Sequence, residues 1–163
     1  SEIIYSTTLG SDTTNIDLTY NFTQDYYQVL LILELYQSTG STSAIFLYFN
    51  QDYTDSNYVN QYFQVQGSSF SPAGRGSNPV IGQDSSGQRS TIYCWFGLGP
   101  GGYGHFESVC NRDYTNSSGV LYEHRNGGKH SGTMTNITEI RLHSNQANGI
   151  GAGTKITLIG FKK

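Results

Sequence analysis

Apolar residues recur at every second position through most of this chain, and almost nowhere at every third or fourth. Ile16, Leu18 and Tyr20 alternate with Asn15, Asp17 and Thr19, the pattern of a half-buried strand. From Tyr27 to Tyr36 the odd positions Val29, Leu31, Leu33 and Leu35 are all apolar, while Leu30 and Ile32 add apolar character to the second face. That predicts a central strand with one face in a core and the other partly covered. Residues 43–50 repeat the arrangement, with Ile45, Leu47 and Phe49 on one side and Phe46 and Tyr48 on the other. Further strands are predicted at 91–96, 105–110, 120–125, around Ile140 and Leu142, and at 154–161. Gly-, Pro- and Asn-rich clusters separate them, as at 97–103 and 126–128. The expected fold is an all-β, antiparallel β-sandwich with jelly-roll-like character, one domain over 1–163 with at most a turn or two of helix. Its core should centre on Val29, Leu31, Leu33, Ile45, Leu47, Ile140, Leu142, Ile156 and Leu158. Residues 67–88 form the longest stretch without periodicity and read as a surface loop.

Composition narrows the function. Charged residues are 13% of the 163, about half the usual share, and polarity comes instead from Ser, Thr, Asn, Gln, Gly and 13 Tyr. A net charge of −3, with no basic cluster beyond Lys162-Lys163, gives no footprint for nucleic acid or an anionic membrane. No apolar run reaches the ~18–20 residues of a membrane-spanning helix. The opening Ser-Glu-Ile-Ile has neither the basic nor the apolar region of a signal peptide. Cys94 and Cys110 are read as buried thiols, with a disulfide between neighbouring strands as the alternative.

Several groups invite chemistry. Asn50, Asp52, Asp55 and Asn57 place four oxygen side chains in eight residues, a weak calcium candidate. The spacing is not that of an EF-hand, and Asn and Asp at a corner more simply make turn bonds to backbone. His124 and His130 follow Cys94 and Cys110, but the spacing is too long for a zinc knuckle. Glu107 and Glu123 would form a glycosidase pair only if their strands faced each other. No Gly-x-Ser-x-Gly elbow presents a nucleophile, and 149–155 lacks phosphate-loop spacing. No catalytic residue and no cofactor are expected. The aromatics remain: Tyr53, Tyr58, Tyr62, Phe63, Tyr93, Trp95, Tyr103, Tyr114 and Tyr122 lie in or beside predicted loops or strand faces. Rings beside Asn, Gln and Asp suit sugars, whose C–H groups stack on the π face while amides take the hydroxyls. The same residues suit protein interfaces or a core.

The two ends of the chain carry a resemblance. Ile137, Ile140 and Leu142 lead through a polar turn to Gly149-Ile-Gly-Ala-Gly-Thr and a closing strand that ends Leu-Ile-Gly-Phe. At the other end stand Ser6-Thr-Thr-Leu-Gly-Ser-Asp-Thr-Thr-Asn-Ile-Asp-Leu18 and the long apolar strand from Tyr27 to Tyr36. This arrangement resembles the small jelly-roll-like virion proteins of tailed bacteriophages. Ile150 departs from it, standing where the family has Phe. The resemblance implies a non-enzymatic virion protein assembled in the host cytoplasm, tail- or fibre-associated, contacting a host-surface glycan or other virion proteins. It also implies a homo-oligomer, a trimer by analogy with phage spikes. A capsid decoration or head-fibre protein and a cellular carbohydrate-binding module are the alternatives. Loops gather at the ends of a sandwich, so 51–62, 67–88 and 97–103 are the expected binding segments, with Arg75, Asn78 and Asp84 as polar partners. Tyr53, Tyr58 and Tyr103 are the expected ligand-binding residues.

Overall fold

The computed structural model describes residues 1–37, 42–66, 69–84, 89–112 and 122–163. Its strands are β1 (Glu2–Thr8), β2 (Asn15–Thr19), β3 (Tyr26–Tyr36), β4 (Ser43–Phe49), β5 (Tyr58–Gln66) and β6 (Ser69–Gly76). They continue as β7 (Val80–Asp84), β8 (Arg89–Leu98), β9 (Tyr103–Arg112), β10 (Tyr122–Thr133), β11 (Glu139–Ser144) and β12 (Lys155–Lys162). The helix among the described residues is one turn, α1 (Phe22–Asp25), and one 3-10 turn, Asp55–Asn57. All pairings are antiparallel, in one sheet ordered β1-β12-β3-β8-β9-β10-β5-β6 and another ordered β2-β11-β4-β7.

Two inserted hairpins, β5–β6 and β9–β10, hide a simpler plan. Without them eight strands remain, β1, β2, β3, β4, β7, β8, β11 and β12. The first pairs with the last, the second with the second-last, the third with β8 and the fourth with β7. That is a long hairpin wrapped into two four-stranded sheets, which is the jelly roll. The insertions pair with each other through β10 and β5 and extend the larger sheet beyond β8.

Every residue expected at the centre of the core is buried between the sheets. Phe22, Phe49, Phe96 and Phe106 complete it, with Phe22 edge-on to Phe96 at 5.5 Å between ring centres. The extension is tied to the smaller sheet by side chains. Ser108 Oγ donates to the Ile81 carbonyl at 2.7 Å, and Cys110 Sγ to the Gln83 carbonyl at 3.3 Å. These bonds occupy carbonyls on β7, an edge strand that would otherwise offer them to another chain.

Two expectations change. Residues 67–88 are not one surface loop, since β6 and β7 occupy 69–76 and 80–84, while 67–68 and 85–88 lie outside the described residues. Gly74 explains the missing periodicity in part, because a Cβ there would lie 2.4 Å from the Tyr62 ring. The expected loop 51–62 is likewise shorter, since β5 begins at Tyr58. Tyr114 and the first residues of the predicted strand 120–125 lie outside the described residues.

Candidate functional site

Alternation along each strand sends one set of side chains into the core and the other to the open face of the eight-stranded sheet. On β8 the inward set is Ser90, Ile92, Cys94 and Phe96, leaving Tyr93 and Trp95 outside. On β9, Phe106, Ser108 and Cys110 point in, and Glu107 and Val109 point out. β10 buries His124 and Asn126 and turns Arg125 and Gly127 outward. β5 presents Gln61 and Phe63 in register beside them.

Register then aligns these residues in rows. Trp95 opposes Glu107, Glu107 opposes Gly127, and Gly127 opposes Gln61. The row continues through Leu30, Ile159 and Ile3 on one side and Arg75 on the other, so it crosses all eight strands. The neighbouring row reads Ile32, Tyr93, Val109, Arg125 and Phe63. Between Tyr93 and Trp95 at one wall and Phe63 at the other lies a depression of about 610 Å³, floored by β9 and β10. Trp95 is held from behind by Phe161, with ring centres 5.2 Å apart. The Arg125 guanidinium lies 5.8 Å from the Phe63 ring centre, while its Nε donates to Glu123 at 2.7 Å. Aromatic walls with a carboxylate, an amide and a guanidinium between them combine ring faces for stacking with groups able to hydrogen-bond.

The three tyrosines expected to bind do not gather in one place. Tyr58 is 1% exposed, and its hydroxyl accepts from the Phe49 backbone N–H and donates to the Asp52 carbonyl, both at 2.9 Å. It is a core residue with no ring face for a ligand. Tyr53 lies over the smaller sheet, its ring 3.8 Å beneath the Arg141 guanidinium and its hydroxyl donating to Glu139 at 3.1 Å. Arg141 also grips Asp17 through two bonds of 2.6 and 2.8 Å, so this outer face is already knitted together. Tyr103 sits at the start of β9 with Lys129 Nζ 4.5 Å from its ring centre. Of the expected polar partners, Arg75 is exposed at the end of the Trp95 row, Asn78 is half-buried in a turn, and Asp84 is fully buried.

The oxygen cluster at the corner is committed to the protein. Asn50, in the left-handed region at φ 51°, accepts from the Thr138 and Glu139 N–H groups and donates to the Asn136 carbonyl at 2.7 Å. Asp52 accepts from the Thr54 N–H, Asn57 Nδ2 and His130 Nε2. Burial alone would raise the Asp52 carboxyl, but hydrogen bonds from His130, Asn57 and Thr54 outweigh it and hold it at about 2. Asp55 accepts from the Tyr48 hydroxyl at 2.5 Å. These are the turn and anchoring bonds that such a corner requires. Among the described residues no group of three or more His, Cys, Asp or Glu side chains gathers as a metal site.

Cys94 and Cys110 are buried free thiols on neighbouring strands. Cys94 opposes Ser108 and Cys110 opposes Ile92, so they are diagonal rather than facing. Burial pushes the Cys110 thiol up to about 11 and the Cys94 thiol well above the ordinary range. His124 is buried beside Arg112, and burial first, then the Arg112 charge, pushes its pKa down to about 4. Glu107 and Glu123 both face outward, but Glu107 opposes Gly127, four positions along β10 from Glu123. Their attachment points are thus roughly 13 Å apart along the strand direction, and the Glu123 carboxylate is taken up by Arg125.

The sequence shows part of this site without its assembly. Tyr93 and Trp95 occupy the solvent-side positions of a strand that its own alternation reveals, and large rings there are a signal. Their partners on β5 and β10 depend on register between distant segments, which alternation does not carry. Comparison with family models and with curated proteins returns no match for this chain.

Proposed function

We propose that this protein is a non-enzymatic virion protein of a tailed phage that attaches to a host-surface glycan through the open face of its eight-stranded sheet. The observation that carries the glycan reading is the depression walled by Trp95, Tyr93 and Phe63, with Glu107, Gln61 and Arg125 inside it. The likeness of both chain ends to jelly-roll virion proteins supports the particle, and fold alone would not. The separation of Glu107 and Glu123 and the bonds that tie the Asp52 cluster into its corner support a reading of recognition without chemistry.

The test is a glycan array probed with the labelled full chain and with Trp95→Ala. Selective binding that Trp95→Ala loses, with the bound glycan recovered unchanged, supports the reading. Binding that Trp95→Ala leaves intact, or release of shortened glycan, overturns it. Absence of binding together with incorporation into capsids would favour the decoration-protein alternative.

Self-association, most simply into a trimer, is the companion proposal. Its motive is the apolar half of the long row, where Ile3, 68% exposed, continues into Ile159 and Leu30 beyond Trp95. Light scattering at micromolar concentration tests it, and a monomer mass would contradict it.

A further inference from the structure

The two adjacent glycines of β10 are glycine for different reasons. Gly128 faces the core, and a Cβ there would lie 2.4 Å from the Phe106 ring and 2.7 Å from the Val59 carbonyl oxygen. Packing demands it. Gly127 faces the depression, and a Cβ there would meet only Glu107 Cγ at 3.8 Å, an ordinary contact. Its φ lies outside the left-handed region, so neither space nor backbone requires glycine. Glycine inside a strand costs stability because it loses more chain entropy and packs nothing. What its absence of a side chain provides is an open floor between Glu107 and Gln61, where a ligand can approach the sheet.

Taken with the row it belongs to, and resting on the glycan reading above, we infer that the depression takes an uncharged oligosaccharide laid across the strands. The chain of sugars runs along Trp95, Glu107, Gly127 and Gln61, with Gly127 as the residue that admits it. Trp95 and Gln61 are three strand spacings apart, about 14 Å, so the row accommodates a short run of sugars rather than a single ring. One sugar stacks on Trp95. The next lies over Gly127, where Glu107 accepts from its hydroxyls and the Gln61 amide both donates and accepts.

Charge decides the class of sugar. Among the described residues that line the depression the cation is Arg125, which is paired with Glu123 at 2.7 Å, and Arg75 lies beyond Gln61 at the far end of the row. Glu107 stands on the ligand's own row without such a partner among the described ion pairs. A sialic or uronic acid carboxylate there would meet a like charge, which is unfavourable at close range even in a hydrated site. Neutral hexoses and N-acetylhexosamines meet no such penalty.

The experiment is an array of matched neutral and acidic oligosaccharides, probed with the parent, Gly127→Val, Gly127→Ser and Glu107→Gln, each also followed by thermal melting. Gly127→Val should melt at or above the parent temperature, since valine favours strands, and should weaken neutral-glycan binding about tenfold or more. Gly127→Ser should weaken it less. Glu107→Gln should raise the ratio of acidic to neutral binding. Parent binding that Gly127→Val and Gly127→Ser leave unchanged would overturn the placement along this row while leaving glycan attachment standing. A parent that prefers acidic glycans would overturn the charge argument. A parent that binds no glycan would overturn this inference and the glycan reading together.

Discussion

His130 Nε2 lies 2.8 Å from Asp52 Oδ2, joining β10 to the corner that follows β4. The imidazole Nδ1 lies 2.9 Å from the Gly132 carbonyl oxygen and 3.0 Å from the Gly132 nitrogen, which fixes the ring with Nε2 toward Asp52. The Tyr58 ring stands edge-on to the imidazole, with ring centres 5.0 Å apart. One side-chain pair thus pins an inserted hairpin to the original jelly roll.

Asp52, held at about 2, makes stability fall in acid. A carboxylate whose folded pKa lies below its unfolded value of about 3.9 stabilises the fold above that value. The contribution is lost as pH falls from about 4 to about 2. Chemical denaturation across that window should show a fall that Asp52→Asn reduces, with lower stability for the variant at neutral pH.

His124 acts in a higher window. It is neutral in the fold down to about pH 4, whereas an unfolded histidine gains its proton near 6.5. Between those values the unfolded state holds the extra proton, so stability drops as pH falls from about 6.5 to 4. Denaturant melts of His124→Gln should show a flatter pH profile over that interval.

Tyr58 separates folding from recognition. Tyr58→Ala should cost ~3–5 kcal/mol by emptying a core site, and Tyr58→Phe ~1–3 kcal/mol by leaving its buried partners unbonded. Equilibrium urea unfolding measures both. A variant lacking Tyr53, Tyr58 and Tyr103 together would therefore lose binding by unfolding, which says nothing about a ligand.

In the core proper, Leu31→Ala or Leu33→Ala should cost ~2–5 kcal/mol, because both side chains are fully enclosed between the sheets. Unfolding midpoints check this. A cost near zero would mean that the faces of β3 are assigned backwards.

Cys94 and Cys110 should resist a thiol reagent in the native protein and react together on unfolding. Titration with a chromogenic disulfide before and after denaturation reads both states.

The legible parts of this protein were those with unbroken alternation. Val29, Leu31, Leu33 and Leu35 alternate, and β3 lies where they predict. Ile140, Leu142, Ile156 and Leu158 likewise declared β11 and β12. β6 stayed hidden because glycine, serine and proline break its pattern, Gly74 making room for the Tyr62 ring. Tyr58 was misplaced because Asp55 and Asn57 beside it look like a loop, whereas its hydroxyl turns inward to the Phe49 N–H. At the site, Trp95 and Glu107 could each be assigned to the solvent side from their own strands. Their meeting with Gly127 and Gln61 is a matter of pairing across the chain, which local pattern does not encode.

We propose that a glycan is held on the Trp95 face of the larger sheet. The most direct test is a titration of an array-selected oligosaccharide into isotopically labelled protein, followed by nuclear magnetic resonance. The Trp95 indole N–H and the backbone amides of Glu107, Gly127 and Gln61 should shift together, with one dissociation constant. Shifts confined to Glu139, Arg141 and His143 on the opposite sheet, or no shifts at any concentration, would contradict it.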